Sequence, residues 1–260
     1  MPAKKHFGQH FLKEAHVAER IAAALKCIPE AGTILEIGPG RGALTRPLLK
    51  RAGAKLHLLE IDADMKGVLE HMEGLSAEHI HWGNALELNW EQIFGSPLVV
   101  SGNFPYNISS QLVWKAIEHR QQVLELVGMF QREVAQRLAA RPGSRIYGHL
   151  SVVAQAFFEA EYLFGLAPGH FNPPPAVHSA VIRLRRRPEP QLPCSEKDFL
   201  ELVKRAFGQR RKTLRNSLKP FVHPMQERLT ESDHRLLGRR PEQLGVTDFI
   251  YLTRLLTGQE

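Results

Sequence analysis

Short apolar runs alternating with amphipathic stretches, from Thr33 onward, narrow what this chain can fold into more than any other feature. Thr33–Ile37 reads as a buried strand, runs into a glycine-rich turn and is followed by a helix over about Ala43–Arg51. Lys55–Glu60 reads as the next strand and Asp64–Glu73 as the next helix. Strands are predicted again at Ile80–Trp82, Leu98–Ser101 and Leu124–Phe130, with helices at Ser110–Glu118 and Arg132–Ala140. Strands alternating with helices at this spacing build a parallel, doubly wound sheet. Leu150–Phe157 fits either period, with helix preferred. Glu161–Leu166 and Ser179–Leu184 read as late strands that can form an antiparallel pair at the sheet edge. Pro188, Pro190 and Pro193 then break the pattern as a linker. Beyond them only helices are predicted, at about Glu196–Phe207, Lys212–Leu218 and Val246–Leu256, with shorter pieces between. The expected architecture is α/β and Rossmann-like over 1–187, with a small helical domain over 188–260.

Composition sets the outer limits. Hydrophobic residues make up 43% and charged residues 23%, which is ordinary for a globular chain, and 260 residues suffice for one large domain and a small one. The net charge of +7 points toward an anionic partner, although basic proteins without one are common. Cys27 and Cys194 have no metal-ligand spacing and read as reduced, mostly buried thiols of a cytoplasmic protein. The 13 histidines form no HExxH or His/Cys cluster, so no metal site is expected. The N-terminus starts positive but has no apolar h-region behind it, and no segment approaches a membrane span. A cytoplasmic location without membrane contact is expected.

Glu36-Ile37-Gly38-Pro39-Gly40-Arg41-Gly42 ends the first predicted strand and opens a helix. Glycines there let the main chain approach a ligand in the crevice where open α/β sheets bind. The spacing is GxGxG with an acid two residues ahead, not the GxGxxG of a dinucleotide site. It suits a cofactor that carries no phosphate, and taken alone it also describes a plain strand-to-helix turn. Glu60 ends the next strand, where a carboxylate can accept hydrogen bonds from both ribose hydroxyls of a nucleoside. The apolar Leu56, Leu58 and Leu59 ahead of it argue against a mere surface charge. Ile61 follows as an apolar wall for an adenine ring. Asn84, with Ala85 beside it, comes after the third strand and offers its amide to an adenine edge, or simply forms a turn.

Asn103-Phe104-Pro105-Tyr106 follows the strand at Leu98–Ser101. The exocyclic nitrogen of adenine is a poor nucleophile because its lone pair is delocalised into the ring. Two acceptors aimed at its hydrogens localise that pair, and the Asn103 side-chain oxygen and the Phe104 carbonyl can supply them. Pro105 stiffens the turn, and Tyr106 offers a ring on which an extruded base can stack. A Pro-containing loop with a half-buried Tyr is the plainer alternative. Phe171, in Phe171-Asn172-Pro173-Pro174-Pro175, reads equally as a second base-contacting ring or as a core anchor.

Together these residues resemble the ribosomal RNA adenine-N6 dimethyltransferase family. The likeness is carried by Phe7-Gly8-Gln9-His10-Phe11-Leu12, by Ile34 through Thr45, and by Gly102-Asn103-Phe104-Pro105-Tyr106-Asn107-Ile108-Ser109. It continues in Phe171–Pro175 with Val177 and Ser179, and in Phe207-Gly208-Gln209-Arg210-Arg211-Lys212-Thr213-Leu214-Arg215-Asn216-Ser217-Leu218. The last block resembles the bacterial small-subunit (16S) enzymes and not the macrolide-resistance enzymes that modify the large subunit.

The resemblance implies a class I methyltransferase domain over 1–187, dependent on S-adenosyl-L-methionine and releasing S-adenosyl-L-homocysteine, and a helical RNA-recognition domain over 188–260. Gln9, His10 and Leu12 would belong to an N-terminal segment that closes over the cofactor. Gly38, Glu60, Asn84 and Asn103 would touch it, joined by Gly40, Ile61 and Ala85. The implied reaction is two successive methyl transfers to each of two adjacent adenosines in a hairpin loop near the 3′ end of 16S rRNA. Its substrate would be an assembling 30S subunit, and the enzyme a monomer. Three positions depart from the family pattern: His10 stands where Asn is usual, Asn84 where Asp is usual, and Phe104 where Leu is more common. Protonation of His10 could make cofactor binding pH-sensitive.

Between Val203 and Lys219 lie seven basic residues, Lys204, Arg205, Arg210, Arg211, Lys212, Arg215 and Lys219, and no acidic one. Arg183, Arg185, Arg186 and Arg187 form a second cluster before the linker. Arg210, Arg211, Lys212, Arg215, Arg185 and Arg186 are expected to contact RNA phosphates, which guanidinium forks suit. A run of like charge also describes a solvated helix face. The absence of GxGxxG disfavours a dehydrogenase, and a DNA adenine methyltransferase would not need the C-terminal basic helices. A ribosome assembly factor without activity is the rival from another class, and the intact Glu60, Asn103 and Tyr106 argue against it.

Overall fold

Each predicted strand is present in the computed structural model, which describes residues 4, 7–28, 32–52, 55–95, 97–189 and 191–258; Pro190 of the predicted linker lies outside them. The strands are β1 (Phe11–Leu12), β2 (Thr33–Ile37), β3 (Leu56–Glu60), β4 (Ile80–Trp82), β5 (Leu98–Asn103), β6 (Val123–Gln131), β7 (Phe158–Leu166), β8 (Phe171–Asn172) and β9 (Ser179–Arg186). Seven of them form one sheet in the order β4-β3-β2-β5-β6-β9-β7, and β1 pairs with β8 in a separate two-stranded ribbon. β4, β3, β2, β5 and β6 are mutually parallel, with Ile34 opposite both Leu56 and Val99. Such strands are covered on both faces and therefore read as apolar runs, as Leu98, Val99 and Val100 of β5 do. The strand order reverses at β2, which opens a crevice at the carboxyl ends of β2 and β5.

β9 runs antiparallel to β6, from Glu125 opposite Arg185 to Gln131 opposite Ser179. Its other neighbour is β7, where Arg183 pairs with Glu161 and Arg185 with Glu159. Residue numbers rise on one strand as they fall on the other, as the predicted antiparallel edge pair requires.

Several boundaries differ from the sequence expectation. Asp64–Glu73 does not form one helix: a 3-10 turn over Ala63–Met65 leads into the single turn Lys66–Leu69. Gly67 lies inside that turn, and an interior glycine costs a helix about 1 kcal/mol relative to alanine. Two helices were not foreseen. Ala15–Ala24 buries Val17, Ala18, Ile21 and Ala22, the stripe of an amphipathic helix. Trp90–Phe94 is capped by Asn89, whose side chain accepts from the N–H groups of Glu91 and Gln92. Cys27 and Cys194 are free and only half-buried.

Two compact units result. The first runs to Ala135 and resumes over Glu159–Arg186; the second is Gln136–Phe158 with the chain from Arg187 onward. The helical unit therefore includes a piece that the sequence placed in the first domain. The helix His149–Phe157 explains this, because Leu150, Val152, Val153, Ala154, Ala156 and Phe157 are all buried. A helix buried on most of its surface shows little period to read and belongs inside a helical core. It packs on the helices Glu196–Gly208 and Val246–Thr257. Among the described residues no helix is long and apolar enough to cross a membrane.

One packing detail fixes the end of β5. The Phe104 ring is 1% exposed and sits edge-on to Phe130, with ring centroids 5.1 Å apart. It fills the space over two glycines: a Cβ on Gly128 would lie 2.1 Å from Phe104 Cε2, and one on Gly102 would lie 2.5 Å from the Ile37 carbonyl oxygen. Gly128→Ala should therefore destabilise the protein by roughly 1–3 kcal/mol, the usual cost of overpacking. Chemical denaturation checks this, and adding Phe104→Leu should recover much of the loss.

Candidate active site

A cavity lies over the carboxyl ends of β2, β3, β4 and β5, with the segment Phe7–Leu12 forming part of its wall. Every residue expected to touch a cofactor lines it: Gln9, His10, Leu12, Gly38, Gly40, Glu60, Ile61, Asn84, Ala85 and Asn103. Phe104, Pro105 and Tyr106 line it as well. Phe171 does not. Its ring is 1% exposed and belongs to the hydrophobic core, while its backbone pairs with Leu12 across the β1–β8 ribbon. The core-anchor reading holds for Phe171, and a ring so enclosed has no face to offer a base.

The glycine turn is shaped by close approach. Gly40 has φ +53, and a Cβ there would lie 2.9 Å from the Phe11 ring. The Arg41 guanidinium stacks over the same ring, 4.5 Å from its centroid. Glu60, 4% exposed, holds the turn from below. Its Oε2 accepts from the Gly40 N–H at 2.9 Å, and its Oε1 accepts from the N–H groups of Ile61 and Asp62 at 3.0 and 2.9 Å. Burial pushes the Glu60 carboxyl above its ordinary range, with these three hydrogen bonds opposing the shift.

Glu36 also lines the cavity and is 1% exposed, with Oε2 lacking any hydrogen-bond partner among the described residues. Burial pushes its carboxyl up to about 8; the nearby Thr45 hydroxyl opposes the shift and the charge of Glu60 adds to it. Ile61 is 47% exposed, an apolar side chain left at the cavity wall. Asn84 is more committed than the sequence suggested. Its Oδ1 accepts from the Leu86 N–H at 3.0 Å and its Nδ2 donates to Glu87 at 2.7 Å. Asn84 thus makes a turn and lines the cavity at once. That loop is anchored from the other side by Trp90, fully buried, whose indole N–H donates to the Ala85 carbonyl at 3.0 Å.

The N-terminal segment is strapped down by contacts that sequence reasoning missed. Asp62, 1% exposed, accepts from Lys4 Nζ at 2.6 Å and from Gln9 Nε2 at 2.7 Å. Gln9 Oε1 in turn accepts from the Lys4 N–H at 2.8 Å. Burial alone would raise the Asp62 carboxyl, but hydrogen bonds from Lys4, Gln9 and the Asp64 N–H hold it below its ordinary value. The His10 ring contacts the Pro173 carbonyl at 2.8 Å through Nδ1, and the His10 carbonyl accepts from Asn103 Nδ2 at 2.7 Å. The Tyr106 hydroxyl hydrogen-bonds to Ser179, and its ring lies 5.5 Å from that of His10. Asp62 sits only two residues past Glu60, but nothing in its neighbours announces a partner some fifty positions upstream.

The arginine clusters are largely spent on structure. Arg183 and Arg185 pair with Glu161 and Glu159, and Arg186 donates to the carbonyls of Arg120 and Gln121. Arg210 donates to the Arg145 carbonyl and lies near Glu242. Arg185, Arg186 and Arg210 thus have partners before any phosphate arrives, although Arg185 stays exposed; Arg211, Lys212 and Arg215 are exposed too, with Arg215 donating to the His234 carbonyl at 3.4 Å. Among the described residues no group of three or more His, Cys, Asp or Glu side chains is placed to hold a metal ion.

An open sheet whose antiparallel β9 is inserted beside its last parallel strands, with a cavity above β2 and β5, is the class I fold of S-adenosylmethionine-dependent methyltransferases. The chain is similar to a dimethyladenosine transferase from Plasmodium falciparum, with a TM-score of 0.77 and 25% identity over 94% of this chain and 96% of the other. It is also similar to the 23S rRNA methyltransferase ErmE, with a TM-score of 0.65 and 27% identity over 94% and 99%. The family model for ribosomal RNA adenine dimethylase matches residues 2–244, and the chain belongs to that family. Its relatives include Ribosomal RNA small subunit methyltransferase A of Bacteroides thetaiotaomicron, 44% identical over 96% of this chain and 92% of the relative. The protein of the same name from Porphyromonas gingivalis is 45% identical over 98% and 97%.

The strap should respond to acid. A carboxyl whose folded pKa is depressed contributes stability that is complete above its unfolded value, here 3.8, and is lost as pH falls through the folded pKa. Amide protection at Gln9–Leu12, taken relative to the intrinsic exchange rate at each pH, should therefore fall below about pH 4. In Asp62→Asn it should already be low at neutral pH, and unchanged protection there would remove Asp62 from the strap.

Proposed function

We propose that this chain transfers methyl groups from S-adenosylmethionine to N6 of adenosines in small-subunit ribosomal RNA, forming N6,N6-dimethyladenosine. The observation that carries the reading is Asn103 at the end of β5. Its Nδ2 is engaged by the His10 carbonyl, so Oδ1 is left to accept from a bound amine, at the wall of a cavity that also holds Glu36 and Glu60. Membership of the dimethylase family supports it, and so do the relatives named for the small subunit. We assign as substrate two adjacent adenosines in a hairpin loop near the 3′ end of 16S rRNA, presented by an assembling subunit in the cytoplasm.

The cavity suits the cofactor's chemistry. Glu60 Oε1 is filled by two N–H groups, and Oε2, which accepts from Gly40 alone, keeps a lone pair for a ribose hydroxyl. The unpartnered buried Oε2 of Glu36 suits a cationic group, which would also favour the ionised carboxyl. Ile61 offers an apolar contact to the adenine, and Gly38 and Gly40 admit the cofactor close to the main chain. S-adenosylmethionine, when bound, supplies an electrophilic methyl carbon on a sulfonium.

The residues of the chain then do the rest. Asn103 Oδ1 and the Phe104 carbonyl hold the two amine hydrogens, localising the nitrogen lone pair and aiming it. The Phe104 ring itself is held by close packing over Gly102 and Gly128. Tyr106, steadied by Ser179, supplies a stacking face worth about 1–3 kcal/mol per base. The proton leaves after the nitrogen has become cationic, so no strong base is required. Arg211, Lys212 and Arg215 on the helical unit are assigned to RNA phosphates.

Radiolabelled S-adenosylmethionine should label small subunits that lack the dimethyladenosines, and leave mature subunits unlabelled. Asn103→Ala should lower turnover by a factor on the order of 100 or more while keeping the fold; near-normal turnover would remove its acceptor role. Glu60→Ala should chiefly weaken cofactor binding, with Glu60→Gln milder because it keeps one acceptor oxygen. An unchanged dissociation constant in both would take Glu60 out of the cofactor site.

A further inference from the structure

A second depression opens beside the cavity and shares Leu12, Arg41 and Ala43 with it. Four cations line it from three stretches of chain: Lys13 after β1, Arg41 in the glycine turn, and Arg46 and Lys50 on the helix Thr45–Ala52. Its one carboxylate is Glu19. Arg46 and Lys50 stand four residues apart, so they share a helix face on which like charges repel. Arg46 lies in the first turn, where the helix dipole disfavours a cation, and that turn has no acid. The Arg46 guanidinium is positioned by the carbonyls of Arg41 and Gly42, at 3.4 and 3.2 Å, and keeps further N–H donors. Among the described residues Lys13, Arg46 and Lys50 have no carboxylate within ion-pair distance, in contrast to Arg183 and Arg185. A cluster of this kind repels itself until an anion enters it.

We propose that this cleft binds a backbone phosphate of the RNA, next to the nucleotide whose base enters the cavity. The inference rests on the reading of the chain as an RNA methyltransferase. A nucleotide that delivers its base into the cavity must carry its backbone past the rim, and Leu12, Arg41 and Ala43 are common to both depressions. Arg and Lys donors there grip phosphate oxygens without reading sequence. The cleft thereby adds an anchor on the catalytic unit to the exposed cations of the helical unit.

The test uses the full chain and two fluorescent RNA hairpins of equal length, one from the small-subunit 3′ end and one unrelated. In Arg46→Ala/Lys50→Ala, affinity for both hairpins should fall about tenfold, the size of a charge-assisted hydrogen bond. The slope of log affinity against log salt should flatten by about one per side chain removed. Thermal stability should not fall, because a repelling pair is removed; cofactor affinity should be unchanged in Lys50→Ala alone, Lys50→Arg should retain RNA binding, and Glu19→Gln should tighten it. Unchanged RNA affinity and salt slope would overturn the proposal. So would a loss confined to cofactor binding, which would give the cleft to the cofactor's carboxylate, or one seen only as weaker binding of inorganic phosphate. Failure of the wild type to methylate any small-subunit RNA would instead count against the proposed reaction, while the hairpins still report on the cleft.

Discussion

The Glu60 carboxylate is the joint on which the rest of the site hangs. By accepting from Gly40, Ile61 and Asp62 it ties the turn after β2 to the loop after β3, although the two lie twenty residues apart. That bond places Asp62 where it can take Lys4 and Gln9, which hold the N-terminal segment over the cavity. The segment in turn presents the His10 carbonyl to Asn103. A hydrogen-bonded path thus runs from the acid at the end of β3 to the amide at the end of β5. Buried polar groups of this kind are costly unless each finds a partner, so the path holds as a unit or loosens as one.

The three residues expected from the sequence to depart from the family pattern differ in what they do. His10 serves Asn103 through its main chain, so the exchange of Asn for His there leaves that contact intact, and its ring finds the Pro173 carbonyl. Asn84 keeps an oxygen, but spends it on the Leu86 N–H. Phe104 needs room that Leu would not, and Gly102 and Gly128 supply it.

Much of the fold was legible because buried parallel strands are apolar runs and the helices between them are amphipathic. What the pattern hid is instructive. The helix Ala15–Ala24 precedes the first strand of the sheet and stands outside the strand–helix alternation, and its stripe went unread. His149–Phe157 buries seven of its nine residues, so neither its period nor its membership of the helical unit could be read locally. The arginines before the linker looked like a phosphate grip, yet Arg183, Arg185 and Arg186 are held by carboxylates and carbonyls contributed by other segments. Charge is visible in a sequence, but whether it is already neutralised is not.

By itself the sequence determined the sheet-building runs, the glycine turn, the acids at strand ends and the Asn103–Tyr106 group, because each depends on residue type at short spacing. Only the tertiary structure decided that Phe171 is core, that Asp62 fastens the N-terminus, that Asn103 is oriented by His10, and that Lys13, Arg41, Arg46 and Lys50 share one cleft. Those facts join residues that lie tens of positions apart. The physical reason is that partners across such distances are chosen by packing and by the need to satisfy every buried polar group, neither of which is fixed until the chain has closed on itself.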